Sequence, residues 1–385
     1  MRSLLLVFLV CVLSATAIAQ NPRFSQMTTS TLLMNPSLSG RFDGRLRAGS
    51  LMSWQKTDNA SIPHQFFFVD FKSSKYRTLG DDAVYQSDST LTPKTKRVVN
   101  EARDVTDANL GAKGFWSMAF HYYHYGSDLV GFYQTTSPMK GSFYSGTLAR
   151  HFYLKKNKYI GAGLQVTYAK GKADETRNQE YDKEISGNGF RYPYRYPRNW
   201  VGSNSYWDWN VGGYFGAATD QLSYELGIAM YHLFYPKNDV FRQDDETKLR
   251  HRVTCHTVFR FKLSSKLGIV QKNIYWEEGL YYRSQNFNDS THVLAFYSGV
   301  EIYKTQPKSN ITANFGLYTR SFHTIMPYAN IWLGNQFNMR YSYEFPINAN
   351  KYKAYTAERT EIALVYNFKR QTQTGNRFYK KFNYW

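Results

Sequence analysis

The sequence predicts an all-β fold: a closed antiparallel outer-membrane β-barrel of about fourteen strands, following a cleaved signal peptide. Three observations predict it. The first is alternation. Leu222, Tyr224, Leu226, Ile228 and Met230 alternate with Gln221, Ser223, Glu225, Gly227, Ala229 and Tyr231, and Tyr206–Ala217 alternates likewise before a short turn at Thr219-Asp220. Strand side chains point to opposite faces in turn, and about eleven residues is the span of a tilted bilayer-crossing strand. The second is composition: aromatic residues make up 18 % of the chain, with 33 Tyr, yet the mean hydropathy is −0.55. A polar lumen with aromatic rims accounts for both. The third is an export address at the start of the chain.

That address is residues 1–19. Arg2 supplies the positive start, Leu4–Leu13 the apolar run, and Ala17-Ile18-Ala19 the small-residue cleavage pattern before Gln20. The run is too short to cross a bilayer as a helix, and no stretch of eighteen apolar residues follows, which excludes helical spans. Val10 stands before Cys11, where a lipoprotein signal has a small residue. Loss of the address removes Arg2, taking the net charge from +19 to +18, and leaves Cys255 as the one cysteine. No intramolecular disulfide can then form.

Strand-like stretches follow in order at 46–56, 64–72, 114–125, 142–154, 158–169, 206–218, 221–232, 250–263, 273–284, 292–304, 310–321, 324–334, 336–345 and 359–369. Fourteen is an even number, as closure of a single-chain bacterial barrel requires. Number and length favour a barrel over a secreted β-sandwich. Near the end of the chain, Phe337, Met339, Tyr341, Tyr343 and Phe345 are expected to face lipid, and Gln336, Asn338, Arg340, Ser342 and Glu344 the lumen. Ile362, Leu364, Tyr366 and Phe368 oppose Glu361, Ala363, Val365 and Asn367.

Parity assigns the sides. With both termini periplasmic, the connections after odd-numbered strands are extracellular: 126–141, 170–205, 233–249 and 346–358. Most even-numbered connections are tight, as at Lys155–Lys158 and Gly334-Asn335. The exception is the polar insert Ser73–Lys113, which parity places in the periplasm. Residues 20–45 are too irregular for a strand and form a plug or a periplasmic segment under the barrel. The barrel covers 46–369, and 370–385 is a basic, aromatic periplasmic tail.

Chemistry finds little support in the residues. His121 and His124 are three apart and His251 and His256 five apart, so in strands neither pair can chelate one ion. Adjacent Glu277-Glu278 also face apart. Neither a nucleophile elbow, a phosphate-cradling glycine loop nor a Cys-x-x-Cys pair occurs. His151 is a candidate rim histidine on the lipid face, but no serine and acid accompany it. The expectation is a non-enzymatic protein without cofactor or metal. The lumen instead carries mixed charges: Asp208, Glu225, Arg252, Arg260, Arg340, Glu344 and Glu361, with Thr254, His256 and Lys262 also inward. Mixed signs favour an internal ion-pair lattice over an anion-selective constriction, because unpaired buried charge is costly. Basic clusters at Lys94–Arg103, Lys170–Arg198 and Lys369–Lys381 suit outer-membrane lipid, lipopolysaccharide phosphates or an acidic partner. An exported chain has no nucleic acid to meet.

Asn21-Pro22-Arg23-Phe24-Ser25-Gln26, followed by Met34-Asn35-Pro36-Ser37-Leu38-Ser39-Gly40, resembles the opening of the PorP/SprF family of type IX secretion system membrane proteins. Further stretches agree in order: Asp208-x-Asn210-x-Gly212 with His232-Leu233-x-x-Pro236, Arg250-His251 through Leu263, and Ser342-Tyr343-Glu344 with Thr360–Phe368. The resemblance implies a non-enzymatic barrel of the secretion and gliding apparatus, or one that helps a secreted adhesin or other cargo reach or stay on the surface. A channel for small or hydrophobic solutes is the alternative. Because the family motif lies there, Phe24, Ser25, Gln26, Asn35, Pro36 and Gly40 are expected to meet the common periplasmic machinery. Tyr192, Tyr194, Arg195, Tyr196, Arg198 and Trp200 are expected to contact the individual cargo, since aromatics and arginine anchor most protein interfaces.

Overall fold

A computed structural model describes residues 30–42, 44–56, 61–73, 114–126, 139–154, 158–173, 203–218, 221–237, 248–264, 272–285, 291–305, 310–320, 324–333, 336–347 and 358–368. The proposed signal peptide, most of the Ser73–Lys113 insert, the aromatic-basic loop after the fifth strand and the tail lie outside them.

Fourteen strands close into one antiparallel barrel: β1 Leu46–Lys56, β2 Ser61–Lys72, β3 Gly114–Tyr125, β4 Met139–Leu154, β5 Lys158–Ala173, β6 Ser203–Ala218, β7 Leu222–Tyr231, β8 Arg252–Ser264, β9 Lys272–Gln285, β10 Thr291–Thr305, β11 Asn310–Arg320, β12 Thr324–Leu333, β13 Phe337–Pro346 and β14 Glu358–Phe368. Each strand pairs with its sequence neighbours. β1 and β14 make the seam over their full lengths, from Leu46↔Phe368 to Lys56↔Glu358. In lipid no water can satisfy a bare strand edge, so closure is what makes the sheet stable there.

Alternation decides the two faces. On β3, Trp116, Met118 and Phe120 are exposed while Ser117, Ala119 and His121 are buried. On β13, Met339 and Tyr341 point out and Asn338, Arg340, Ser342 and Glu344 point in, as the pattern predicted. A register shift between Lys262 and Ser264 marks a bulge at the end of β8. Several strands are longer than the alternation suggested, β4, β5 and β6 among them. Pairing of β4, β5 and β6 continues to Met139↔Ala173 and Lys172↔Ser203, beyond the apolar repeat, so the connection expected over 170–205 is shorter. Above the membrane a strand needs only its ladder, and lipid no longer dictates the outward residues.

The inside is not a water-filled bore throughout. Leu51, Phe66, Phe68, Ala119, Tyr123, Ala363 and Val365 form an apolar cluster with Leu32, which precedes the barrel in sequence. A second cluster joins Tyr159, Tyr214 and Ala295 to Met34 and Leu38.

A plugged lumen as the candidate functional site

Those three apolar residues belong to a segment, 30–42, that lies inside the barrel. Thr31–Met34 makes one helical turn, α1, and Pro36–Leu38 a 3-10 turn. Asn35 joins them. Its Oδ1 accepts from the Ser37 N–H (3.0 Å) and the Ser37 hydroxyl (2.6 Å), capping the second turn, and Pro36 at the first turn position lacks only an N–H that would have no partner. The Asn35 Nδ2 donates outward to the Gly213 carbonyl (3.0 Å) and the Ile228 carbonyl (3.3 Å). Asn35 thus serves both the local turn and the wall, at 0 % exposure.

The wall reciprocates. Tyr231 donates to the Leu33 carbonyl and Thr254 to the Met34 carbonyl, each at 2.9 Å. Glycine makes the close approach on β5 possible, because a Cβ on Gly163 would stand 2.6 Å from Pro36 and Ser37 backbone atoms. Lower down, Asp70 accepts from the Ser39 hydroxyl (3.0 Å), the Gly40 N–H (2.9 Å) and the Arg47 guanidinium (2.8 Å). Gly40 has φ of 76°, and a Cβ there would strike Ser117. Arg41 pairs with Glu225 and lies over the rings of Tyr159 and Tyr214. Lys72 donates to the Phe42 carbonyl, and Arg47 covers the Phe42 ring.

These contacts give the segment a direction. Phe42 sits beside Arg47 and Lys72, at the end of the barrel where β1 starts and β2 finishes. Leu33 and Met34 sit beside Tyr231 and Thr254, where β7 finishes and β8 starts, which is the opposite end. The chain therefore climbs through the lumen as it runs back from β1.

Charge pairing continues around the wall. Arg260 meets Glu301 at 2.5 Å, Arg320 meets Glu344 at 2.6 Å, and Asp208 lies 3.0 Å from His232. Arg359 lies 3.9 Å from Glu344 and 3.8 Å from Glu361. Arg252 and Arg340 stack over Tyr231 and Tyr328. Asp208, Glu225, Arg252, Arg260, Arg340, Glu344 and Glu361 are all buried, as are Thr254 and His256, while Lys262 is half-buried. The sequence reading missed Arg41, Arg47, Asp70, Glu301 and Arg359. Asp70 was findable, as the one carboxylate inside Phe66–Phe71 at an inward position. Arg41 was not, since its segment has no period.

Two expectations are corrected. Asn35, Pro36 and Gly40 are buried inside the barrel instead of lying on a periplasmic surface, with the Asn35 Nδ2 on wall carbonyls and the Gly40 N–H on Asp70. His151 is not on the lipid face. It points inward, 2 % exposed, with Nε2 3.0 Å from Ser117 Oγ and Nδ1 2.6 Å from the Tyr214 hydroxyl. Ser117 also donates to the Ser39 carbonyl (2.9 Å), so its hydroxyl proton is engaged and Nε2–H donates to the serine. That is the reverse of the polarity a nucleophilic serine needs. Among the described residues no three His, Cys, Asp or Glu side chains gather as metal ligands. Phe24, Ser25, Gln26, Tyr192, Tyr194, Arg195, Tyr196, Arg198 and Trp200 lie outside the described residues.

A family model described as "Type IX secretion system membrane protein PorP/SprF" matches residues 116–366. The chain belongs to the PorP/SprF family. Like its family, this PorP/SprF protein is a type IX secretion system membrane protein, and its closed barrel with an apolar exterior sits in the outer membrane. The plug precedes the matched range. No curated protein matches the chain. Similar solved structures include the toluene transporter TodX of Pseudomonas putida, at 7 % identity and a TM-score of 0.42, covering 91 % of this chain and 98 % of that one. Another is BamA of Haemophilus ducreyi lacking POTRA domains 1–3, at 10 % identity and 0.40, covering 84 % and 70 %. A third is the β domain of the Bordetella autotransporter Brka, at 8 % and 0.37, covering 85 % and 100 %.

Proposed function

We propose that this PorP/SprF barrel works without catalysis, as a closed outer-membrane platform that helps a secreted surface protein through or holds it at the cell surface. One observation carries the reading: the lumen is occupied by residues 30–42, hydrogen-bonded to five strands of the wall. A filled bore with mixed, paired charges suits a scaffold better than a solute conduit. Recognition then falls to loops and termini, where polar backbone is free. The aromatic-basic stretch Gly171–Ser205 is the candidate contact for the individual cargo, and other type IX components are the remaining partners. Deleting residues 174–202 is expected to release one surface protein while barrel insertion and general secretion persist. Loss of all type IX secretion, or no change in any surface protein, would falsify this division of labour.

A further inference from the structure

Two buried arginines stand outside the ion-pair lattice of the lumen. Arg252 and Arg283 face inward from β8 and β9, at 7 % and 8 % exposure. The register sets Arg283 opposite Thr254 and Arg252 opposite Gln285, so the two arginines are diagonal neighbours. Diagonal neighbours on a ladder lie roughly 7–8 Å apart, which puts both cations on one patch of wall. Arg252 is held 3.9 Å over the Tyr231 ring, and its Nε–H has no acceptor. Among the described residues, neither guanidinium has a carboxylate within ion-pair distance.

The carboxylates of that end are engaged elsewhere. Glu344 meets Arg320 at 2.6 Å, Glu361 lies 3.8 Å from Arg359, and Asp208 lies 3.0 Å from His232. Asp208 offsets at most one of the two arginines. Neighbouring hydroxyls offer no counter-charge, since those of Thr254 and Tyr231 hold the Met34 and Leu33 carbonyls. Burying a cation without a partner is costly, and here the cost is incurred twice. Arg252 opens β8 and Arg283 stands two residues before β9 ends. The pair therefore flanks the upper end of the plug, at the mouth that parity assigns to the cell surface.

We propose that Arg252 and Arg283 form an anion site beside the plug, which grips a carboxylate on an extended acidic segment of the surface protein. This rests on the reading that the barrel holds such a protein, and it gives the grip its chemistry. Guanidinium forks match carboxylates with two parallel bonds each. Tyr231 and Tyr281 beside the arginines supply ring surface that a polypeptide covers and a small hydrated anion leaves bare.

The test is anisotropy of short fluorescent peptides added to the detergent-purified full chain, one with spaced Asp and Glu, the other with the matching Asn and Gln. The wild type is expected to bind the acidic peptide about tenfold more tightly, a gap that added salt narrows. Millimolar inorganic phosphate should not displace it. Arg283→Gln should reduce the preference and Arg252→Gln/Arg283→Gln abolish it. Arg283→Lys, which keeps the charge, should retain part of it and serves if the Gln variants fail to fold. Because it removes an unpaired buried charge, Arg283→Gln is expected to unfold in urea at a midpoint no lower than the wild type. A clearly lower midpoint marks a structural arginine and overturns the proposal. Equal affinity for the two peptides, a preference that survives loss of both arginines, or displacement by phosphate overturns it as well. So does acidic-peptide binding that appears only once Asp244, Asp245, Glu246 and Asp289 of the adjoining connections are changed to their amides, since the chain's own acids then fill the site. Peptide affinity is measured without cargo, so this proposal and the cargo-release reading fail separately.

Discussion

Asp70 shows how one side chain can govern the plug. It is 0 % exposed and receives Ser39, Gly40 and Arg47 together. Asp70→Ala removes the carboxylate that pairs with the buried Arg47 guanidinium and is expected to cost about 3–5 kcal/mol. Urea unfolding in lipid, followed by tryptophan fluorescence, measures it. Asn35→Ala removes bonds to turn and wall and is expected to cost about 1–3 kcal/mol, because carbonyls that it satisfied lose a donor. Inward residues such as Glu225 and Arg260 were legible in the sequence, since parity alone places them. Their partners were not. Which strand lies across the lumen depends on barrel width and stagger, and Arg41 reaches Glu225 from an irregular segment.

Strands were the readable elements, because lipid on one side and lumen on the other impose a period of two. All fourteen lie where alternation placed them, and only ends beyond the apolar repeat moved. This predicts a sharp contrast on one strand. Leu226→Asp puts a charge on the lipid face and is expected to cost about 2–4 kcal/mol near the midplane. Ser223→Asp faces the lumen opposite Arg260 and should be tolerated. Folded yield on semi-native gels compares them, and equal yields would remove the facing assignment. The plug has no such period, since the wall dictates its shape. Gly163→Val should therefore displace it while the barrel stays closed. Trypsin cleavage after Arg41, which is 8 % exposed in the intact protein, is expected to appear in that variant.

At the scale of the molecule, the filled lumen predicts a quiet barrel. Planar-bilayer recordings of the intact protein should show little or no conductance, and deletion of residues 30–42 should open a steady channel. A large conductance from the intact chain would favour the solute-channel alternative.

The upward course of the plug has a mechanical consequence. Phe42 is three residues from β1, so the lower end is tethered to the wall, whereas residue 30 leads toward the opposite mouth. A force that draws residue 30 out through that mouth runs along the segment and loads its attachments together, in shear: Leu33 on Tyr231, Met34 on Thr254, the two Asn35 bonds, Asp70 and the Arg41 ion pair. A force that turns residue 30 back toward the β1 end peels the same attachments one after another, from Leu33 downward. The plug is expected to be stiff to tension from one side of the membrane and compliant to tension from the other.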